Sequence, residues 1–419
     1  MLRRSPFYRE FHRGLERRPL EELPILTKAQ MMERFDDLVT DRDVRLADAE
    51  AYLRNEDGSR LFRKRYVVMS TSGSTGRRGV FMFDKGEWIR ALGSITRPIA
   101  WVQSVKNPGK SAPRSALIAS SAPWHYSARV GRALATTIVP TLRLDAATPI
   151  DEMVARLNEW QPVTLATFPS VLRELAAAQS AGELKIQLHA IASSAEVLTA
   201  ETRAAVKRAW GDITLQDTYG GTEYAPIASE CLHGRKHLFE DGAVIEVADD
   251  AGRVLYPGET GTRLLLTIFR RHTQPLIRYE ISDRVRLTGE PCPCGRPFRT
   301  IESIEGRQED VLYFEATAAG APPVAVHPNR FHDTLEHFAV TAWQVVHEDS
   351  AIIVRLIGAR GPEECAAIQR TVGEMLQAAG VRLPPIEVRQ VGQLERGATG
   401  KAPLILARRK RPDPEKSVV

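Results

Sequence analysis

The sequence predicts an α/β protein with a large N-terminal lobe of mainly parallel sheet flanked by helices. This lobe carries a β-barrel-like subdomain, and a small, mobile α+β domain follows it. Three observations carry that expectation. Between 148 and 213, strand and helix patterns alternate, which means βαβ units and a parallel sheet. From about 240, short strands are separated by Asp, Gly and Pro turns, as in antiparallel pairing. After 310 the order is helix, hairpin, helix and strand over about 100 residues, enough for a separate domain.

Taken in order, residues 1 to about 60 read as helical and polar, with Thr27 capping KAQMMERF. YVVM (66–69) is a strand, STSGSTGRRG (70–79) a loop, VFMF (80–83) a strand and GEWIRALGSITRPIAWV (86–102) a helix. In TPIDEMVARLNEW, Thr148, Pro149 and Asp151 fall at the cap, first helical residue and capping-box acid. VTLATF (163–168) is a strand, PSVLRELAAAQSAG a helix opened by Pro169, LHAIASS a strand and TAETRAAVKRAW a helix. VIEVADDAGRVL, TRLLLTIF and DRVRLTG are short strands, and no internal repeat appears. The expected divisions are 1–309 for the large domain, with its β-rich part at about 235–305, 310–407 for the small domain, and a disordered basic tail over 408–419.

Composition narrows the function classes. The 419 residues are 43% hydrophobic and 26% charged, as in an ordinary soluble globular protein of two to three domains. The net charge of +5 is concentrated in the basic tail, so the body is nearly neutral and no nucleic acid partner is expected. No apolar window is long enough to cross a membrane. The basic N-terminal run holds Glu10 and Glu16 and lacks an apolar segment, which argues against secretion. Four cysteines are too few for a disulfide scaffold. A cytoplasmic protein is expected.

The loop Ser70–Gly79 combines glycine, hydroxyls and two arginines, a set suited to a phosphate chain, with ATP its expected owner. It is not a Walker loop, because Gly76 is followed by Arg77 and then by a strand instead of a lysine and a helix. Four further stretches belong with it. DTYGGTEYAP (217–226) offers an aromatic face, a hydroxyl and an acid suited to Mg²⁺; RYEISDRV (278–285) offers Asp283 for ribose hydroxyls. IEGRQED (304–310) supplies Gly306 and Arg307, and ERGATGK (395–401) supplies Lys401. Taken alone, each is an ordinary turn or surface charge. Cys231, His237, Cys292 and Cys294 have the ligand types of tetrahedral Zn²⁺, with His233 a rival for the histidine place, although C-x-C is tighter than usual. Cys365 reads as a helix packing residue.

In their order these stretches resemble the signature of the adenylate-forming ligases: acyl-CoA synthetases, luciferases and peptide-synthetase adenylation domains. QPLIRYEISDRVRL, CPCGRPFRTIESIEGRQED and HPNRFHDTLE are similar to the phenylacetate-CoA ligase branch, and the resemblance spans about 60–402. It implies ATP-dependent activation of a carboxylic acid, aromatic or medium-sized and apolar, as an acyl-adenylate. Thr71, Ser72, Gly73, Ser74, Thr75 and Gly76 would close over the β- and γ-phosphates. Tyr219 would lie on adenine, Thr222 on the α-phosphate and Glu223 on Mg²⁺, with Ser194, Ala195, Glu196 and Gly220 around the nucleotide. Asp283 would hold the ribose, assisted by Arg307. Glu309 takes the hinge place, and Lys401 would bridge the carboxylate and the α-phosphate. Trp124, His125, Tyr126, Phe168, Gly221 and Tyr224 would line the acid pocket. Members of the branch also carry paired Cys/His clusters, which supports a structural zinc.

One departure leaves the acceptor open. After GRQED this chain runs VLYFEATAAGAPPVAVHPNRF, without the glycine turn that receives CoA in relatives. CoA, an amine or a carrier-protein thiol could each take the acyl group, and a homodimer is compatible with the sequence. A non-catalytic nucleotide-binding protein is the rival of another class; retention of Glu223, Asp283, Arg307 and Lys401 argues against it.

Overall fold

The computed structural model describes residues 4–55, 58–71, 78–102, 114–134, 139–307, 311–318, 320–335, 337–397 and 399–408. The chain opens with helices α1 (Pro6–Phe11), α2 (Lys28–Glu33), α3 (Phe35–Leu38) and α4 (Leu46–Asn55). Thr27 and Gln30 form a reciprocal capping box at the start of α2. This region is less polar in its packing than its composition suggests, because Phe7, Tyr8, Leu26, Met31, Phe35 and Leu38 are all buried in the first core. The Tyr8 hydroxyl donates to Pro275 O at 3.0 Å and accepts from Ile277 N at 3.1 Å, stitching α1 to the far side of the lobe.

Strands β1 (Tyr66–Ser70) and β2 (Val80–Asp84) form an antiparallel hairpin, and α5 (Lys85–Val102) follows. The central sheet begins with β3 (Ser115–Ala119), α6 (Tyr126–Ala133), β4 (Thr141–Asp145), α7 (Ile150–Trp160) and β5 (Thr164–Thr167). It continues through α8 (Pro169–Ser180), β6 (Ala190–Ser194), α9 (Ala200–Trp210) and β7 (Thr214–Tyr219). Strands β4, β3, β5, β6 and β7 run parallel in that order, as the alternating pattern predicts. The Thr199 side chain accepts from Thr202 N at the start of α9, whereas α7 begins at Ile150 with Pro149 at its cap position and no side-chain cap. Thr148 is therefore not the cap expected from the sequence; its amide instead closes a turn on Asp145 O.

The β-rich stretch comprises β8 (Ala228–Glu230), β9 (Lys236–Leu238), β10 (Ala243–Ala248), β11 (Thr260–Gly261), β12 (Arg263–Ile268), β13 (Tyr279–Ile281), β14 (Asp283–Thr288) and β15 (Thr300–Arg307). It is not free-standing. Strands β8, β9, β15, β14 and β11 extend the parallel half antiparallel to one another, giving a single ten-stranded sheet, while β10, β12 and β13 make a separate three-stranded one.

Beyond it, β16 (Leu312–Phe314) and β17 (Val324–Val326) form a hairpin that leads into α10 (Pro328–Leu335). Strands β18 (Ala342–His347), β19 (Ile352–Ile357), β20 (Ile386–Gln390) and β21 (Ile405–Ala407), with α11 (Pro362–Ala378), make a four-stranded sheet and helix layer. Phe331, Trp343, Val354, Ile368 and Val372 anchor its own core, against which Cys365 packs as expected. Arg408 donates to Glu348 Oε1 at 3.3 Å and to Glu395 Oε2 at 2.6 Å. No described helix is long and apolar enough to cross a membrane.

Candidate active site and metal cluster

The C-terminal ends of β5, β6 and β7 open on a cavity of about 1220 Å³ lined by Thr167, Ser193 and Thr218 at those ends. Ligands of α/β sheets characteristically sit at this end of the strands. The cavity brings together Thr71, Ser194, Ala195, Gly220, Gly221, Thr222, Glu223, Asp283 and Lys401, along with His125, Tyr126 and Phe168. Ser72, Gly73, Ser74, Thr75, Gly76 and Glu309 lie outside the described residues. The base of the glycine loop is fixed by two bonds: Thr71 N donates to Gly79 O at 2.9 Å, and Gly79 N donates to Thr71 Oγ1 at 2.9 Å.

The YGGTE segment is held from below. Gly221 N donates to Tyr224 O at 3.1 Å, and the Glu223 carboxylate folds over Gly221, where a Cβ would meet Oε2. Arg271, buried and absent from the sequence reading, donates to Glu223 O at 2.6 Å and to Gln274 O at 3.2 Å, with its guanidinium 3.9 Å from the Phe83 ring centroid. Burial lowers its pKa only to about 10, so it remains a cation beneath the acid. Lys28 and the small-sheet residues Tyr313 and His347 also line the cavity unforeseen. No local motif marks any of them.

Tyr219 is not on the cavity wall; its hydroxyl donates to Asp283 Oδ2, tying the end of β7 to the start of β14. Arg307 is the Cα partner of Asp283 across the β14–β15 pair. Glu196 also sits behind the wall, with Oε2 accepting Ser170 N at 2.9 Å and Oε1 accepting Ala402 N at 3.1 Å. Burial pushes its carboxyl up, opposed by the Ser170 hydrogen bonds and the Lys401 charge. Two expected pocket residues face elsewhere. Trp124 stacks under Arg78, and Tyr224 lines a second cavity of about 510 Å³ behind Tyr126 and Ala225. Neighbouring turn residues diverge, so an aromatic beside a motif need not share its face.

His125 caps α6, its Nδ1 accepting from Ser127 N at 3.3 Å. Burial and then the Lys401 charge lower it to about 3, leaving a neutral imidazole at physiological pH. Lys401 Nζ lies 5.2 Å from the Phe168 ring centroid, within cation–π range. The approach depends on Gly400, whose φ is +74° and whose missing Cβ would lie 2.7 Å from Ala147 N and 2.8 Å from Ala146 Cβ. A side chain there would hold the loop off the large lobe.

Away from the cavity, Cys231, His237, Cys292 and Cys294 bring one ligand atom each to within 4.8 Å of one another. Cys231 and Cys292 sulfurs are 3.6 Å apart, and Cys294 Sγ is 3.2 Å from His237 Nε2. His237 Nδ1 donates to Phe298 O at 3.1 Å, so its Nε2 lone pair faces the sulfurs. The cluster includes His237 and not His233. Three soft sulfurs and one imidazole fit a tetrahedral zinc. Glu223, a hard oxygen donor on the cavity wall, fits Mg²⁺.

Residues 32–265 match the family of AMP-binding enzymes. Phenylacetate-coenzyme A ligase of Thermus thermophilus is 27% identical over 256 residues, covering 58% of this chain and 55% of the relative, so the match spans little more than half of that protein. A crystal structure of 2-hydroxyisobutyryl-CoA ligase in the postadenylation state superposes at TM-score 0.71, 18% identity, over 97% of this chain and 86% of that one. The same ligase in its thioesterification state gives 0.54 over the same shares, at 16% identity. The amide bond synthetase McbA of Marinactinospora thermotolerans gives 0.52 at 17% identity, over 80% of this chain and 66% of its own. These likenesses show the fold. With more than half of its length matched by the family, the chain belongs to the AMP-binding enzymes.

Proposed function

We propose that this chain activates an aromatic or medium-sized apolar carboxylic acid with ATP, forming an acyl-adenylate and pyrophosphate, and then transfers the acyl group to CoA. The observation that carries this reading is the entry of Lys401, from the far end of the chain, into the cavity that also holds Gly220–Glu223 and Asp283. The chemical obstacle is the attack of a carboxylate on an already anionic phosphorus. An ammonium between the two anions offsets their repulsion and stabilises the charge that develops in transfer. Neutral His125 adds no competing charge next to Lys401. Asp283, fixed by Tyr219, would accept from the ribose hydroxyls; Thr222 would donate to the α-phosphate, and the loop from Thr71 to Gly76 would close over the outer phosphates. Glu223 would hold Mg²⁺, which supplies charge neutralisation for the departing pyrophosphate. The apolar end of the cavity, among Ile95, Pro98, Leu117, Val130 and Leu134, suits an aryl or short aliphatic group. In this reading residues 1–309 and 310–407 are two domains joined at Glu309.

The acceptor has a second reading. The altered segment after residue 310 and the likeness to an amide bond synthetase support transfer to an amine or carrier thiol. Pyrophosphate release measured across a panel of aryl and aliphatic acids, with and without CoA, tests both. Acid-dependent release and a CoA thioester are expected. Release by none of the acids sinks the ligation reading, and product formed only with an amine replaces CoA as the acceptor.

The Cys/His cluster is proposed to hold a structural zinc that pins the β8–β9 turn to the 292–295 loop. Purified protein should carry zinc in equal proportion to chain, and Cys292→Ser should lose it and melt at a lower Tm, since a structural zinc contributes directly to folding. Metal-free protein with undiminished Tm defeats the proposal.

A further inference from the structure

The loop that presents Lys401 is fastened to the large lobe through two carboxylates. Arg396, with its side chain 8% exposed, pairs with Glu174 of α8, 14% exposed. Arg396 Nη1 also donates to Gly400 O at 2.9 Å, Gly397 N to Lys401 O at 2.9 Å and Gly400 N to Gly397 O at 2.9 Å. The arginine and the turn are therefore one hook. Past the lysine, Ala402 N donates to Glu196, whose other oxygen accepts from Ser170 N. Ser170 and Glu174 are one helical turn apart, on one face of α8. The two fastenings thus flank Lys401, one made by Glu174 on α8 and the other by Glu196 after β6, which the first turn of α8 holds through Ser170 N.

Resting on the role of Lys401 proposed above, we infer that Glu174 and Arg396 are a latch that holds the lysine loop in the acid-activating geometry and must open before the acyl group is transferred. Neither residue lines the cavity, so both act by positioning. A buried pair is costly to break from one side, because the abandoned charge stays buried; the latch therefore favours a fully closed or fully open loop over intermediate placements.

The test compares Glu174→Gln and Arg396→Lys with the unmodified protein. The first keeps shape and removes charge; the second keeps charge and removes the donor to Gly400. Hydrogen exchange at the amides of Gly397, Gly400 and Ala402 needs no turnover and should quicken about tenfold or more in both variants, with exchange across α8 unchanged. With phenylacetate as the probe acid, pyrophosphate release should fall about a hundredfold, as for a displaced catalytic group. Consumption of chemically prepared phenylacetyl-adenylate by CoA should hold steady or rise. Unaltered exchange, or a parallel fall of both half-reactions, overturns the latch. If unmodified protein releases no pyrophosphate with any acid, the ligation reading fails, and the exchange rates alone decide whether the loop is latched.

Discussion

Lys401→Ala is expected to lower acid-dependent pyrophosphate release by about 10²–10³-fold, the usual cost of deleting one preorganised charge donor at a transition state. ATP affinity should hardly change, since in the proposed reading the nucleotide is held by Asp283 and Thr222 of the large lobe and not by Lys401. The loss should appear in kcat, because the ammonium serves mainly the charge that appears during transfer. The variant also frees space beside Phe168 without exposing a core, so Tm should stay within a degree or two. Steady-state pyrophosphate release against ATP concentration checks the point. A variant retaining more than about a tenth of the rate would remove Lys401 from the chemistry.

Asp283→Ala should act in the opposite way, raising the KM for ATP by about 10–100-fold, the value of hydrogen bonds to a charged group, with a smaller effect on kcat. Asp283 is buried at the first position of β14 and already accepts from the Tyr219 hydroxyl, so its carboxylate is oriented before any nucleotide arrives. Asp283→Asn keeps an acceptor for Tyr219 and should lie between the two. Nucleotide titration by calorimetry gives the affinities directly. Unchanged ATP binding in the alanine variant would move the ribose site elsewhere.

The parallel half of the sheet was legible because each of its strands is bounded by turn residues and followed by an amphipathic helix, a strictly local pattern. Thr27 was legible as a cap for the same reason, whereas Thr148 misled because α7 starts one residue later than the pattern implies, with Pro149 at the cap position and the Thr148 amide closing a turn on Asp145 O. The N-terminal core was obscured by the arginines interleaved with Phe7, Tyr8 and Phe35. The union of the β-rich strands with the central sheet could not be read, since strand partners separated by tens of residues leave no mark on local periodicity.

The site divides along similar lines. Thr222, Glu223, Asp283 and Lys401 lie in glycine-marked or ordered motifs, and all reach one cavity. Arg271, Lys28, Glu174 and Arg396 look like surface charges in a sequence a quarter of whose residues are charged, and only tertiary burial distinguishes them. Trp124 and Tyr224 were drawn in by proximity along the chain, which does not determine the direction of a side chain in a turn.

The ten-stranded sheet has a consequence for how the molecule can come apart. Strand β7 pairs with parallel β6 on one side and antiparallel β8 on the other, so trimming the chain between them would bare a long hydrogen-bonding edge in the middle of the protein. The parallel half and the strand-rich half are therefore expected to melt together as one cooperative unit.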